Sequence, residues 1–166
     1  MNRKQKRLWI MLASILWLYF PCCRAAYAQN EEMISKEIIT SAETVRRAET
    51  HKVRFEAAQH LAKLTRDVDP QLVSDQALVQ LIALLDTPYD YVRLWVAGAL
   101  GNLGPRAKPA VPRLLTLLPK VDCLRGSVTS APVIRTALTR IGVTPPPIPD
   151  CARGEGGALD PNPLKN

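Results

Sequence analysis

Aromatic side chains are scarce in this sequence, and several patterns that mark nucleotide-binding or β-rich proteins are missing. Phe, Trp and Tyr make up 5% of the 166 residues and apolar residues make up 47%, so we expect a core of Leu, Val, Ile and Ala. The sequence has no glycine-rich phosphate loop, which argues against nucleotide chemistry. No stretch alternates apolar and polar residues between turn signals, so we predict no β-strand.

Metal-binding and nucleophile motifs are also missing. The chain has two histidines, His51 and His60, and neither has a second ligand at metal-binding spacing, although residues distant in sequence can still assemble in space. Its four cysteines include no C-x-x-C pair. We therefore predict no metal, no cofactor and no catalytic residue, and we interpret the protein as a non-enzyme.

Acidic residues are absent from the first 28 positions, which hold five basic residues. The formal net charge of the chain is +7, from 22 Lys and Arg and 15 Asp and Glu. Without residues 1–28, 17 basic and 15 acidic residues remain, a net charge of +2. Since the remaining chain is nearly neutral, we expect no nucleic-acid partner.

Residues 1–28 have the three parts of a secretory signal peptide. A basic start over 1–7 precedes 13 residues that are apolar apart from Ser14, and Ala26 and Ala28 lie at the two positions that signal peptidase reads. An apolar run of this length rises about 20 Å as a helix, which is too short for the roughly 30 Å core of a bilayer. We predict cleavage after Ala28, transient membrane contact through the signal peptide, and a periplasmic or secreted protein.

Two cysteines remain after cleavage, Cys123 and Cys151. An even number of cysteines in an oxidising compartment favours a disulfide, which would stabilise the fold by about 3–4 kcal/mol in the chain-entropy model. The prolines at 145–147 and 149 cannot continue a helix, and the glycine-rich end is typical of a disordered segment. We therefore predict a domain over 29–143 and a Pro/Gly-rich tail over 144–166, tethered through Cys151.

An internal repeat organises residues 29–143. Residues 53–64 align without gaps on residues 92–103, an offset of 39 residues. A third, degraded copy ends at Gly142 as the second ends at Gly104. Apolar residues at helical spacing in the three copies predict these buried positions: Val53, Ala57, Leu61, Leu64, Val92, Val96, Leu100, Leu103, Ile134, Leu138 and Ile141.

A second apolar helix precedes the repeated helix in the second and third copies. Ser74 and Asp75 are cap residues for an apolar segment over 77–85. The next such segment begins at Pro109, where the first turn tolerates a missing N–H. The sequence therefore predicts an all-α fold, a short α-solenoid of two to three antiparallel helical hairpins.

Residues 77–118 resemble the bacterial form of the HEAT repeat, an armadillo-like helical solenoid. The resemblance rests on 90–93, which reads DYVR, and on 97–104, which reads AGALGNLG. A weaker likeness extends it to roughly two-thirds of the chain, although the first copy has His51 where the family pattern has Asp. The resemblance implies structural roles in repeat stacking for Asp90, Arg93 and Arg54, and it is specific for fold rather than for activity.

The polar side of the repeated helix differs between the first two copies. The first copy has Lys52, Glu56, Gln59 and Lys63 where the second has Tyr91, Trp95, Gly98 and Asn102. The resemblance implies that this helix lines the concave face where solenoids bind partners, and Tyr and Trp are enriched in binding hot spots. We predict a protein or peptide partner that binds at Tyr91, Trp95 and Asn102, with a rim of Lys52, Glu56 and Lys63.

Three alternatives remain open. The N-terminal helix or the proline-rich tail of the same chain would cover Trp95 if either folds over that face. Some HEAT-like proteins act as bilin lyases or related assembly factors, although export and the missing cofactor-handling cysteine argue against that function here. A structural envelope protein without a dedicated ligand is the third alternative.

Overall fold

The computed structural model describes residues 28–123 and 129–148. Within these ranges the chain forms six α-helices and no β-strand, which confirms the predicted all-α fold. Residues 1–27 of the predicted signal segment and residues 149–166 of the predicted tail, with Cys151, lie outside the described residues. The helices are α1 over residues 28–47, α2 His51–Leu64, α3 Asp75–Ala83, α4 Asp90–Asn102, α5 Val111–Asp122 and α6 Ala131–Ile141.

The six helices form three hairpins in two layers. Helices α2, α4 and α6 lie side by side with α4 in the middle, and we call them the α2–α4–α6 layer. Helices α3 and α5 pack on α4 and α6, and α1 joins α3 where Ser35 Oγ accepts a hydrogen bond from Ser74 N at 3.0 Å. No helix of the described residues is long and apolar enough to cross a membrane.

Local signals set several helix ends. Ser74 caps α3 as predicted, since its Oγ accepts a hydrogen bond from Ala77 N at 3.2 Å. The chain leaves α4 and α6 at Gly104 and Gly142, which have φ values of +53° and +98°. Glycine adopts this left-handed conformation without steric cost, so the two copies end in equivalent ways.

Helix α5 begins two residues later than the predicted start at Pro109. The chain winds as a 3₁₀ helix over Gly104–Ala110, which includes Pro109, and α5 opens at Val111. Pro112 then occupies the first turn of α5, where its missing N–H leaves no helical hydrogen bond unmade.

The core is aliphatic, as predicted, but the first copy departs from the other two. Val53 is 44% exposed, so its predicted burial is wrong, and the predicted positions 57 and 64 are half-buried. The buried residues of α2 are Arg54, Ala58, Leu61 and Ala62, so Val53 lies off the buried face of that helix. The predicted positions with no exposed surface are Leu61, Val92, Val96, Leu100, Leu103, Ile134, Leu138 and Ile141.

Helices α4 and α6 approach each other most closely at Gly101. A Cβ atom added to Gly101 would lie 3.0 Å from Ala137 Cα and 3.2 Å from Ala137 Cβ, which is closer than side chains normally pack. A Cβ atom added to Gly98 would lie 3.8 Å from Val133 Cγ1, an ordinary contact. A side chain at 101 would therefore force Ala137 to shift, whereas a Cβ atom at 98 fits the present packing.

Alanine at these two glycines should have opposite effects on stability. Gly101→Ala forces α4 and α6 apart and should lower the free energy of unfolding by about 1–3 kcal/mol. Gly98→Ala replaces a flexible residue inside a helix and should raise the free energy of unfolding by roughly 0.5–1 kcal/mol. Urea denaturation followed by circular dichroism measures both changes, and equal stability of the two variants would contradict the close approach.

Candidate partner-binding face

Five rings gather where α2 meets α4, and we call them the aromatic cluster: His51, Phe55, Tyr89, Tyr91 and Trp95. The ring centroid of Phe55 lies 6.0 Å from that of Tyr91 and 5.9 Å from that of Trp95. His51 meets Tyr89 edge-on at 5.5 Å. Pairs of aromatic rings stabilise by about 0.5–1.5 kcal/mol beyond the area they bury. Phe55 nevertheless stays 40% exposed, so the cluster also presents an apolar surface.

A groove of about 410 Å³ lies beside Trp95, between α2, α4 and α6. Trp95 belongs to both the aromatic cluster and the groove, so the two features form one continuous surface. In the described part of the chain, neither α1 nor residues 143–148 line the groove. Its lining residues are Ala62, Arg66, Leu94, Trp95, Gly98, Asn102, Val133 and Arg140.

The structure brings three of the six predicted partner-binding residues to this surface. Tyr91 and Trp95 lie in the aromatic cluster, and Asn102 lines the groove. From α2, the side chain that meets both Tyr91 and Trp95 is Phe55. The predicted rim residues are exposed on α2 and do not line the groove: Lys52, Glu56 and Lys63.

The prediction from sequence missed several residues of this surface. An offset of 38 residues aligns Val133 with Trp95 and Arg140 with Asn102, so extending the stripe into the third copy would have found both. Phe55 lies outside the stripe, and its position beside Trp95 depends on how α2 is rotated against α4.

Asn102 links the three helices of the α2–α4–α6 layer. Its Nδ2 donates to the carbonyl oxygen of Ala62 at 3.0 Å, and its Oδ1 accepts from Arg140 Nη1 at 3.1 Å. The side chain predicted to contact a partner therefore also holds neighbouring repeats together, which fixes the floor of the groove.

The three predicted structural residues lie away from the groove. The carboxylate of Asp90 accepts hydrogen bonds from Ser130 N at 2.8 Å and from Ser130 Oγ at 2.6 Å, which joins the second hairpin to the third. Arg93 Nη1 lies 3.8 Å from the same carboxylate. Arg54 is buried on α2 and donates to the carbonyl oxygen of Ala48 at the turn after α1.

Ser41, His60 and Glu37 form a second polar cluster between α1 and α2. The Oγ of Ser41 lies 3.3 Å from His60 Nδ1, and Glu37 Oε1 lies 3.5 Å from His60 Nε2. Ser41 lies inside α1, where backbone N–H groups bond within the helix and are not available to stabilise an oxyanion. The side chain of His60 is about half exposed, at 49%.

A metal site of three or more His, Cys, Asp or Glu side chains does not occur among the described residues. The two histidines lie in different surroundings, His51 in the aromatic cluster and His60 beside Glu37. The groove and the aromatic cluster offer apolar contact, hydrogen bonding and cationic attraction, together with the imidazole of His51 and the phenols of Tyr89 and Tyr91.

The Asp90–Ser130 contact should contribute measurably to stability. Asp90→Ala leaves the N–H and hydroxyl of the buried Ser130 without their acceptor and should lower the free energy of unfolding by about 1–3 kcal/mol. Asp75→Ala is the control, since that carboxylate is 88% exposed and its pair with Arg106 should contribute at most about 1 kcal/mol. Thermal denaturation of both variants tests this, and an equal loss would remove any special role for Asp90.

Comparison with known families adds independent support for the fold. Residues 92–118, which run from α4 into α5, match the family model of the PBS lyase HEAT-like repeat. Comparison with curated proteins and with solved structures gives no significant match. Together with the three stacked helical hairpins, this match over 27 of the 166 residues supports the predicted HEAT-like repeat.

Proposed function

We propose that this protein is a non-catalytic interaction module that binds a protein or peptide on the concave face of its solenoid, formed by the α2–α4–α6 layer. HEAT-like repeats generally mediate protein interaction. The observation that carries the choice of face is the aromatic cluster, which is partly exposed and continuous with the groove. Tyr, Trp and Phe bury large areas at small entropic cost, so such a surface favours binding.

A lyase or assembly-factor function is the alternative that the name of the matched repeat raises. Lyase chemistry needs a group that can donate or accept a proton at the bound substrate. The ionisable side chains in the groove lining are Arg66 and Arg140, and guanidinium groups stay protonated in proteins. The described lining therefore favours binding over acid–base catalysis.

A photoreactive residue should locate the partner on this face. With p-benzoylphenylalanine at Phe55, irradiation of cells should give a crosslinked adduct, because that side chain is 40% exposed beside Tyr91 and Trp95. The control position is Val79, which is 59% exposed on α3 in the other layer. Adducts are detected by immunoblot and identified by mass spectrometry.

The same adduct should weaken when Trp95→Ala is combined with the probe at Phe55. Adducts of equal intensity from both probe positions would argue against a specific face. If neither probe position gives an adduct, the result would favour a structural envelope protein without a dedicated ligand.

We also propose that the protein is exported with its signal removed and that Cys123 pairs with Cys151. The sequence of residues 1–28 supports export, and the disulfide-bonded state of Cys123 supports the pairing. Arg135 Nε donates to Asp122 Oδ1 at 3.1 Å and Arg135 Nη1 donates to the carbonyl oxygen of Pro146 at 2.5 Å. These contacts hold residues 143–148 near the end of α5, where Cys123 lies.

Intact-mass spectrometry of the protein from its native cells tests both parts of this proposal. Under non-reducing conditions the expected mass is that of residues 29–166 less two hydrogen atoms, because cleavage follows Ala28 and one disulfide is present. Reduction and alkylation should then add two labels. A chain that still begins at Met1, or labelling of both cysteines before reduction, would refute the corresponding part.

A further inference from the structure

The groove beside Trp95 exposes apolar and polar surface in equal parts. Trp95, Leu94 and Val133 contribute side chains to its walls, and Gly98 contributes none. A Cβ atom on Gly98 would touch Val133 at an ordinary 3.8 Å, so the missing side chain leaves usable space beside Trp95. A volume of about 410 Å³ accommodates one or two side chains rather than a folded surface.

One end of the groove is cationic. Arg66 follows the C-terminus of α2 and Arg140 lies in the last turn of α6, and both line the groove near Asn102. Neither arginine forms an ion pair with a described residue, and the described lining contains no carboxylate. The groove therefore presents two guanidinium groups whose charge is not neutralised by the described residues around them.

Arg140 is also positioned before any ligand binds. Its Nη1 donates to Asn102 Oδ1 at 3.1 Å, and Asn102 is itself held by the carbonyl oxygen of Ala62. A guanidinium has five N–H donors, so one hydrogen bond leaves others for a ligand. Because planar guanidinium groups match carboxylates in shape and charge, the expected complement is a carboxylate.

We infer that this groove binds an acidic peptide segment of a partner protein, in which an apolar or aromatic side chain lies beside an Asp, a Glu or the C-terminal carboxylate. The apolar side chain packs against Trp95 above Gly98, and the carboxylate accepts hydrogen bonds from Arg66 and Arg140. This inference rests on the proposed function and specifies the chemistry of its ligand.

A peptide fits the groove better than a nucleic acid does. Single-stranded nucleic acids are bound by cationic side chains that follow the phosphate backbone, together with several stacking rings. Here the two arginines lie together at one end, and residues 29–166 carry a net charge of +2. A single local carboxylate beside an apolar group matches this arrangement.

A displayed library of random heptapeptides tests the inference when it is selected against the full chain and two double variants. Arg66→Gln with Arg140→Gln removes the charge of the groove and keeps a hydrogen-bond donor at each position. Arg47→Gln with Lys120→Gln is the matched control, since it removes the same charge from exposed positions on α1 and α5. Circular dichroism should show equal folding of all three proteins.

The full chain and the control should select peptides in which Asp or Glu adjoins Trp, Phe or Leu. Fluorescein-labelled copies of these peptides should bind the groove variant at least about tenfold more weakly than the control, since charge-assisted hydrogen bonds are lost. Gly98→Leu should also weaken the binding of these peptides, because the leucine side chain fills the space beside Trp95.

Three other results would overturn the inference in distinguishable ways. If selected peptides lack acidic residues but still bind less well to Trp95→Ala and Gly98→Leu, the acidic ligand is wrong and the proposed function stands. If every selected peptide binds Trp95→Ala and Gly98→Leu as tightly as the full chain, the inference and the proposed face both fail. The third result is that no acidic peptide is selected, while a fluorescein-labelled oligothymidylate binds the full chain and loses affinity in the groove variant. The ligand would then be a nucleic acid rather than a peptide.

Discussion

The close approach of α4 and α6 at Gly101 is the contact on which the described surface depends. The two backbones come so near that a Cβ atom at this position would lie 3.0 Å from Ala137 Cα. The next residue, Asn102, can then reach α2 on one side and Arg140 of α6 on the other. A wider spacing of α4 and α6 would break the hydrogen bonds of Asn102 and widen the groove beside Trp95. Packing at a small residue therefore sets the geometry of the binding surface.

Polar contacts between neighbouring repeats set the register that aliphatic packing alone does not specify. Asp90 accepts two hydrogen bonds from Ser130, the residue 40 positions later. The equivalent position in the first copy is His51, which lies 3.4 Å from Tyr91 Oη and contacts Tyr89 edge-on. One end of the array is thus joined by carboxylate hydrogen bonds and the other by rings. The rings at this end also leave an exposed apolar surface, since Phe55 is 40% exposed.

The repeated helices could be predicted from sequence because their periodicity is local. Leu100 and Leu138 occupy equivalent positions in their copies and both are fully buried. The contacts of a side chain across the layer cannot be predicted from this periodicity, because they depend on the rotation between hairpins. Val53 repeats the pattern of Val92 yet is exposed, because the buried face of α2 runs through Arg54, Ala58 and Leu61 instead. Phe55 meets Trp95 for the same reason: relative rotation, rather than spacing along the chain, brings them together.

Some residues of the groove also hold the helices together, whereas others only line it, so substitutions at the two kinds of position have different consequences. Asn102 bridges three helices, so substitution there alters the stack as well as the surface. Gly98 and Arg66 line the groove without such a bridge, and a Cβ atom at Gly98 has room. Ligand preference can therefore vary at Gly98 and Arg66 while Asn102 and Arg140 keep the walls in place. A groove whose shape is set by stacking orders few side chains on binding, which lowers the entropic cost of capturing a short peptide.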